Sequence, residues 1–285
     1  MPMNPRLLRP RSTVHPEAAD WANRVRANGG SVSGSTLNAV SRFCASIGAA
    51  GIRDRFYRLN LFCGTGLNAC LVPLYRGPSL GGTQYGGTTD TNSGPFVSGD
   101  YSETAGLWPG SSNSTKFLNT GFAANTVASG VAHLGMGILA ANTLTGSRDG
   151  MGAFSGASNS FGIRMRSGSS PALSAVFTRF GTASDTFGDE VGSAGASLAA
   201  GNIVASWPTM YRNGAAVGTN ATTSQNYPSA HSFLVFGTNN SGSSTATALS
   251  NPRLGWYSIG ASMTAQQVSD FNTAVNGLYA ALGRT

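Results

Sequence analysis

The sequence predicts a mainly β chain: an antiparallel sandwich with a short helical lead-in and a helix at its end. Three observations carry this. Tyr211-Arg212-Asn213-Gly214-Ala215-Ala216-Val217 holds an Asn-Gly pair between strand-like residues, and Asn-Gly suits the two positive φ angles of a type I′ hairpin turn. Apolar residues recur at every second position in several runs, as a strand with one buried face requires. The 39 glycines, scattered with Ser, Thr and Asn between those runs, suit many short turns.

Taken in order, residues 1–14 place Pro2, Pro5 and Pro10 among Arg6, Arg9 and Arg11. Proline at that spacing blocks a helix, so an extended arm is expected, one able to order against a neighbouring subunit. Pro16–Asn28 reads as a helix, with Pro16, Glu17 and Asp20 suited to its first turn and Gly29 to its end. Ser35–Ala50 reads as a second, with Leu37, Val40, Cys44 and Ile47 on one stripe and Gly51 ending it. Such a pair offers too small an apolar face to stand alone.

Phe56–Cys63 reads as a strand, and Leu67–Leu74 as an apolar stretch broken at Pro73. Residues 77–115 are rich in Gly, Thr and Ser, with short strands expected but not placed. The strands then become distinct. Ala132, Leu134, Met136 and Ile138 alternate with His133, Gly135 and Gly137, which predicts a half-buried strand with His133 on its outer, solvent side. Phe161–Arg166 alternates in the same way, and Leu173–Phe180, Ile203–Trp207, Phe233–Phe236 and Leu254–Ile259 are further strand-like runs. Thr264 and Gln267 have capping-box spacing. Val268, Phe271, Val275, Leu278 and Leu282 follow on one helical stripe, closed by Gly283.

The chain's net charge of +7 is concentrated at the front. Residues 1–76 hold ten Arg against Glu17, Asp20 and Asp54, and the remainder balances to zero. A basic front on a neutral body predicts docking onto something acidic, with Arg6, Arg9, Arg11, Arg24 and Arg26 as contact candidates. Two units are expected. Residues 1–55 form the basic arm and helical lead-in, and 56–285 form the sandwich closed by its helix. Residues 1–60 are expected to make most of the contact with an assembly, and the sandwich to fold without them. Cys44, Cys63 and Cys70 form no framework spacing, so all three are expected to be unpaired thiols in a chain made in a cytosol. No charged n-region followed by an apolar run opens the sequence, so no signal peptide is expected, and no apolar run approaches a membrane span.

Phe117-Leu118-Asn119-Thr120-Gly121-Phe122, Ala132-His133-Leu134-Gly135, Tyr211-Arg212-Asn213-Gly214, and Tyr257-Ser258-Ile259-Gly260 leading into the helix from Thr264 follow one another in a telling order. Over residues 50–283 this resembles the concanavalin A-like (laminin G-like) jelly-roll sandwich of tailed-bacteriophage virion proteins. The resemblance implies a tail- or capsid-associated structural protein. It would be made in a bacterial cytoplasm, oligomeric in the particle, and in contact with other virion proteins. It equally admits a tail-fibre, receptor-binding or lectin-like module that grips host surface glycans, because the fold does not decide function.

Catalytic constellations are sparse. A glycosidase needs two carboxylates across the scissile bond, and Glu17, Glu103 and Glu190 sit in no such pattern. Asp189 and Glu190 are adjacent, so on a strand they would point to opposite faces. A Ser–His–Asp triad is recognised by geometry. His133, His231 and many serines permit one in number only. Gly77-Pro78-Ser79-Leu80-Gly81 matches a nucleophile elbow in letters, but Gly82 and the turn-rich run behind it do not continue as a helix. The chain is therefore read as non-enzymatic. Zinc is disfavoured, since no cysteine or histidine pair has ligand spacing. No cofactor is expected; Asp185, Asp189 and Glu190 form the densest acidic segment and are the candidates for Ca²⁺, though they supply few of the six or more oxygens it needs. Tyr85, Tyr101 and Trp108 are the candidates for stacking on sugar rings. The Arg-rich front lacks any recognised nucleic-acid motif, so nucleic acid is not an expected partner.

Overall fold

One strand, Arg253–Ala261, carries a core on each of its faces, and the rest of the molecule is arranged about it. The structure is a computed structural model that describes residues 14–127, 132–140, 148–154, 160–165, 176–181, 197–200, 202–204, 207–219, 230–240 and 246–284. In chain order its elements are α1 (Pro16–Ala27), α2 (Gly34–Ala49), β1 (Phe56–Asn60), α3 (Leu67–Cys70), β2 (Thr91–Ser93), β3 (Tyr101–Ser102), β4 (Gly106–Leu107) and β5 (Phe117–Ala123). Next come β6 (Ala132–Ala140), β7 (Arg148–Phe154), β8 (Ser160–Met165), β9 (Val176–Gly181), β10 (Ser197–Ala200), β11 (Asn202–Val204), β12 (Trp207–Arg212) and β13 (Ala215–Thr219). The chain closes with β14 (Ser232–Val235), β15 (Thr238–Asn240), β16 (Ala246–Thr247), β17 (Arg253–Ala261) and α4 (Ala265–Leu282).

Two sheets face one another. The first runs β10-β6-β17-β4-β3, with β1 also paired to β17. The second runs β16-β15-β7-β14-β5-β2, with β8 on β7 and β9 on β8. Ladders among the described strands are antiparallel except β15 on β7. Between the sheets, Leu134, Met136, Tyr257 and Ile259 meet Phe122, Met151, Phe161 and Phe233 in one buried cluster. This is the mainly β sandwich that alternation predicts, and the capped helix lies where its stripe requires.

A second core lies on the outer face of the first sheet. Phe56, Leu59 and Trp256 pack there against Trp21 and Val25 of α1, Phe43 and Ile47 of α2, and Val268, Phe271, Val275 and Leu278 of α4. Phe271 sits at its centre, with ring centroids 6.3 Å from Phe43, 4.9 Å from Phe56 and 5.0 Å from Trp256. The molecule is thus three layers deep: helices, sheet, sheet. α1 and α2 thereby supply part of the cover for β1 and β17.

The same layer changes the reading of β6. His133, Gly135 and Gly137 are buried, not exposed, because β6 lies under the helical layer. A Cβ on Gly137 would collide with the Trp256 indole and the Tyr279 hydroxyl, so glycine here admits two large side chains from β17 and α4.

Local signals are met in detail. His15 Nδ1 accepts from the Glu17 N–H ahead of α1 (3.3 Å), and Ser33 Oγ accepts from the Thr36 N–H ahead of α2 (3.0 Å). Thr264 Oγ1 accepts from the Gln267 N–H (3.2 Å) while Gln267 Oε1 accepts from the Thr264 N–H (2.9 Å), the reciprocal capping box. Asn213 (φ 51°) and Gly214 (φ 84°) form the two-residue turn between β12 and β13, as a type I′ hairpin requires. The hairpin is peripheral, though. It belongs to a separate three-stranded sheet, β11-β12-β13, and Gly214 rests on α4 against Ser269 and Asn272. The strands within residues 77–115 are the short β2, β3 and β4, with one 3₁₀ turn at Ser98–Asp100.

Candidate functional site

The described polar side chains that most resemble chemistry are sealed inside the fold. Asp90, 1% exposed, accepts from Arg58 Nη2 (2.6 Å), Arg58 Nε (3.1 Å), the Tyr257 hydroxyl (2.7 Å) and Asn60 Nδ2 (2.8 Å). Arg58 Nη1 donates to the Tyr85 and Gly87 carbonyls. Burial and the Asp90 charge raise the Tyr257 phenol well above its ordinary value. The network therefore stays charged on Arg58 and neutral on Tyr257 at ordinary pH. It ties the 76–90 loop to β1 and β17, with every group satisfied.

A serine–histidine pair is also present. His133 Nε2 lies 3.2 Å from Ser258 Oγ, and His133 Nδ1 lies 2.7 Å from the Ala261 carbonyl oxygen. A triad would place a carboxylate at Nδ1 and open the serine to substrate. Here a backbone carbonyl stands at Nδ1 and both side chains are buried. Burial pulls the imidazole down to about 4, so it is neutral at pH 7. Ser79 of the elbow-like letters lies in a loop followed by turn and bend, not by a helix.

Each of the eight described carboxylates has a partner within the chain. Glu17 meets Arg53, Asp20 meets Arg24, Asp54 meets Arg55, Asp90 meets Arg58, and Asp100 meets Lys116. Glu103 accepts from Thr36 Oγ1 (3.0 Å) and the Gly64 N–H (2.7 Å), Asp149 from Thr238 Oγ1 (2.5 Å), and Asp270 from Gln266 Nε2 (2.9 Å).

Among the described residues one trio, His15, Glu17 and Cys44, brings potential metal-ligand atoms within 4.8 Å of one another. It fits a metal poorly. Glu17 is engaged by the Arg53 guanidinium, and His15 is occupied as the α1 cap. Burial pushes the Cys44 thiol up to about 12, so the thiolate a metal needs is disfavoured. Cys44, Cys63 and Cys70 are all unpaired and buried, as the spacing predicts.

The sequence-derived candidates fall in several places. Arg6, Arg9 and Arg11, and the acidic trio Asp185, Asp189 and Glu190, lie outside the described residues. Arg24 does not project freely. Nε bonds Asp20 (2.8 Å), and Nη1 and Nη2 donate to the Pro73 and Leu74 carbonyls (2.6 and 2.9 Å). Arg26 is exposed and donates to Asn23. Tyr85, Tyr101 and Trp108 are each half-buried and each engaged within the chain. Tyr85 packs on Tyr57 and Phe122, Tyr101 donates its hydroxyl to the Gly64 carbonyl (2.7 Å), and Trp108 lies under the Arg253 guanidinium at 4.9 Å. The structure does not gather them into a stacking platform.

What sequence reasoning missed is a groove between α2 and α4, of about 930 Å³. Ala39, Arg42, Phe43, Ser46, Ala49 and Ala50 form one wall, and Asp270, Thr273, Ala274, Gly277, Leu278, Ala280 and Ala281 form the other. The signal was available. α1 carries four charged residues in twelve, whereas α2 and α4 carry one each, Arg42 and Asp270, in 16 and 18. A helix face with a single charge and mostly small side chains is neither core stripe nor ordinary solvated surface.

No protein-family model and no curated protein sequence matches this chain. Among solved structures it is similar to the NanB sialidase from Streptococcus pneumoniae, at 17% identity over 51% of this chain and 24% of that chain, with a TM-score of 0.38. It is also similar to domain 4 of AbnA, a GH43 extracellular arabinanase from Geobacillus stearothermophilus solved with arabinotriose. That match has 14% identity over 55% of this chain and 72% of that one, with a TM-score of 0.38. This chain thus spans about a quarter of NanB. At these values the likenesses carry no argument about function.

Proposed function

We propose that the chain is a non-enzymatic structural protein of a tailed-bacteriophage particle, docked through its front end and displaying the sandwich outward. The observation that carries the non-enzymatic part is the commitment of every described carboxylate, and of the one serine–histidine pair, to internal contacts. A hydrolase needs its acid, base or nucleophile open to substrate, and Asp90, Asp149, His133 and Ser258 are each at most 2% exposed. The assembly part is supported by the sequence resemblance, by the arginine-rich front and by the sparsely charged α2–α4 surface, which carries one charge on each wall. In this reading Arg6, Arg9 and Arg11 make salt-sensitive contacts with an acidic neighbour.

The test joins localisation to activity. Immunogold labelling of purified particles with antibody to the chain should decorate tail or capsid. A variant lacking residues 1–13 should remain folded yet fail to incorporate. Unlabelled particles would overturn the virion reading. Hydrolysis of nitrophenyl glycosides would overturn the non-enzymatic one. Saturable binding on a glycan array, lost in Trp108→Ala, would replace it with a receptor-binding module.

A further inference from the structure

We infer that the α2–α4 groove is a self-complementary interface, closed by the same groove of a second copy of this chain. The inference rests on the assembly reading above and adds the partner and its geometry.

The argument begins with the shape of the walls. Ala49, Gly277, Ala280 and Ala281 are exposed and small. Helices lined with small residues can approach closely, because interaxial distance follows side-chain size at the contact. Neither wall presents a long flexible side chain except Arg42. Little rotamer entropy would therefore be lost on covering this surface.

The charges then select the occupant. Arg42 is exposed and enters no ion pair among the described residues. Asp270, on the opposite wall, is half-buried and, among the described residues, is met by the neutral Gln266 amide and by no cation. The two stand at one level along the groove. Their chain neighbours, Phe43 and Phe271, touch across the seam beneath at 6.3 Å. Each wall thus carries one charge, opposite in sign to the other and at the same height.

A two-fold axis running along the groove lays the α2 wall of one copy over the α4 wall of its partner. That operation sets Arg42 against Asp270 twice and brings no like charges together. Isologous contacts require a surface that is its own complement. An acidic or basic partner would satisfy one of these charges and leave the other facing a like charge or nothing. A purely apolar partner would leave both unpaired and desolvated.

The test is the oligomeric state of the full chain by sedimentation equilibrium from about 1 to 100 µM. The wild type should be dimeric at the upper end. Arg42→Asp and Asp270→Arg should each raise the dissociation constant at least tenfold, because each sets two like pairs face to face. The double variant R42D/D270R restores both pairs with reversed polarity and should recover the dimer. Both positions are on the helix surface, and circular dichroism should show each variant folded. A wild type that is monomeric throughout overturns the inference, as does a dimer insensitive to the single reversals or one that the double reversal fails to rescue. Immunogold labelling of particles is scored separately. A labelled particle with a monomeric chain would retain the virion reading and discard this interface, and a rescued dimer on unlabelled particles would do the reverse.

Discussion

Replacing Phe271 with alanine tests whether the helical layer is integral to the fold. Phe271 is 1% exposed and touches Phe43 of α2, Phe56 of β1 and Trp256 of β17. One truncation therefore loosens three elements at once. Removing a ring buried to this degree loses its transfer free energy and leaves a cavity that rigid neighbours on a sheet cannot fill, about 3–5 kcal/mol. Each edge or tilted ring contact adds roughly 0.5–1.5 kcal/mol beyond area burial, which places the expectation in the upper half of that range. The assay is urea unfolding followed by both tryptophan fluorescence and far-ultraviolet circular dichroism. The midpoint should fall with the slope unchanged, since the same surface is exposed on unfolding. Heating should show a melting temperature lower by roughly 6–10 °C for a chain of this size. A change within about ±0.5 kcal/mol, the usual range for surface sites, would refute the packing. Two separate transitions would refute the claim that helices and sheets form one cooperative unit.

Other predictions follow from the buried polar groups. Asp90→Ala leaves Arg58 charged and unpaired in the core and should cost about 3–5 kcal/mol in the same urea assay; a loss under about 1 kcal/mol would mean that water replaces the carboxylate. His133 has its folded-state pKa depressed to about 4 by burial, so between the ordinary histidine value and 4 the unfolded chain binds the proton and the folded one does not. Stability should therefore be full above about pH 6.5 and fall as pH drops toward 4, by about 3 kcal/mol in all. His133→Gln should flatten that part of the pH profile, and a profile unchanged by the substitution would sink the assignment. The thiols should be silent to a disulfide reagent in the native state and titrate as three in denaturant, since Cys44 and Cys63 are both pushed up to about 12 by burial; mass spectrometry showing any linked pair would count against this.

Legibility followed locality. The capping box at Thr264, the Asn213-Gly214 turn and the stripes of α2 and α4 are set by residues within a few positions of one another. They could be read directly. What could not be read depends on contacts distant in sequence. The alternation in β6 assigned His133 to solvent because nothing in that run announces that α1, α2 and α4 cover the outer face. The hairpin was legible as a turn but not as a peripheral one, since its place on α4 is fixed by close approach of Gly214 to Ser269 and Asn272. Tyr85 and Tyr101 stand in a Gly-rich stretch with no apolar pattern around them, yet Tyr85 is held by Tyr57 and Phe122 and Tyr101 by the Gly64 carbonyl. The groove was not legible because it is defined by scarce charge and small side chains on two helices far apart in sequence, which leave no motif.

The pairing of β1 with β17 bears on how the chain can be made. The bond from Arg58 Nε to the Tyr257 hydroxyl joins positions 199 apart, so during synthesis β1 must wait for β17. At about 5–20 residues per second that wait is roughly 10–40 s. Throughout it, Phe56 and Leu59 lack the sheet that later buries them. Asp90 emerges early enough to meet Arg58, but Tyr257 and the whole of α4 do not. The nascent chain is therefore committed to a long interval with a bare edge.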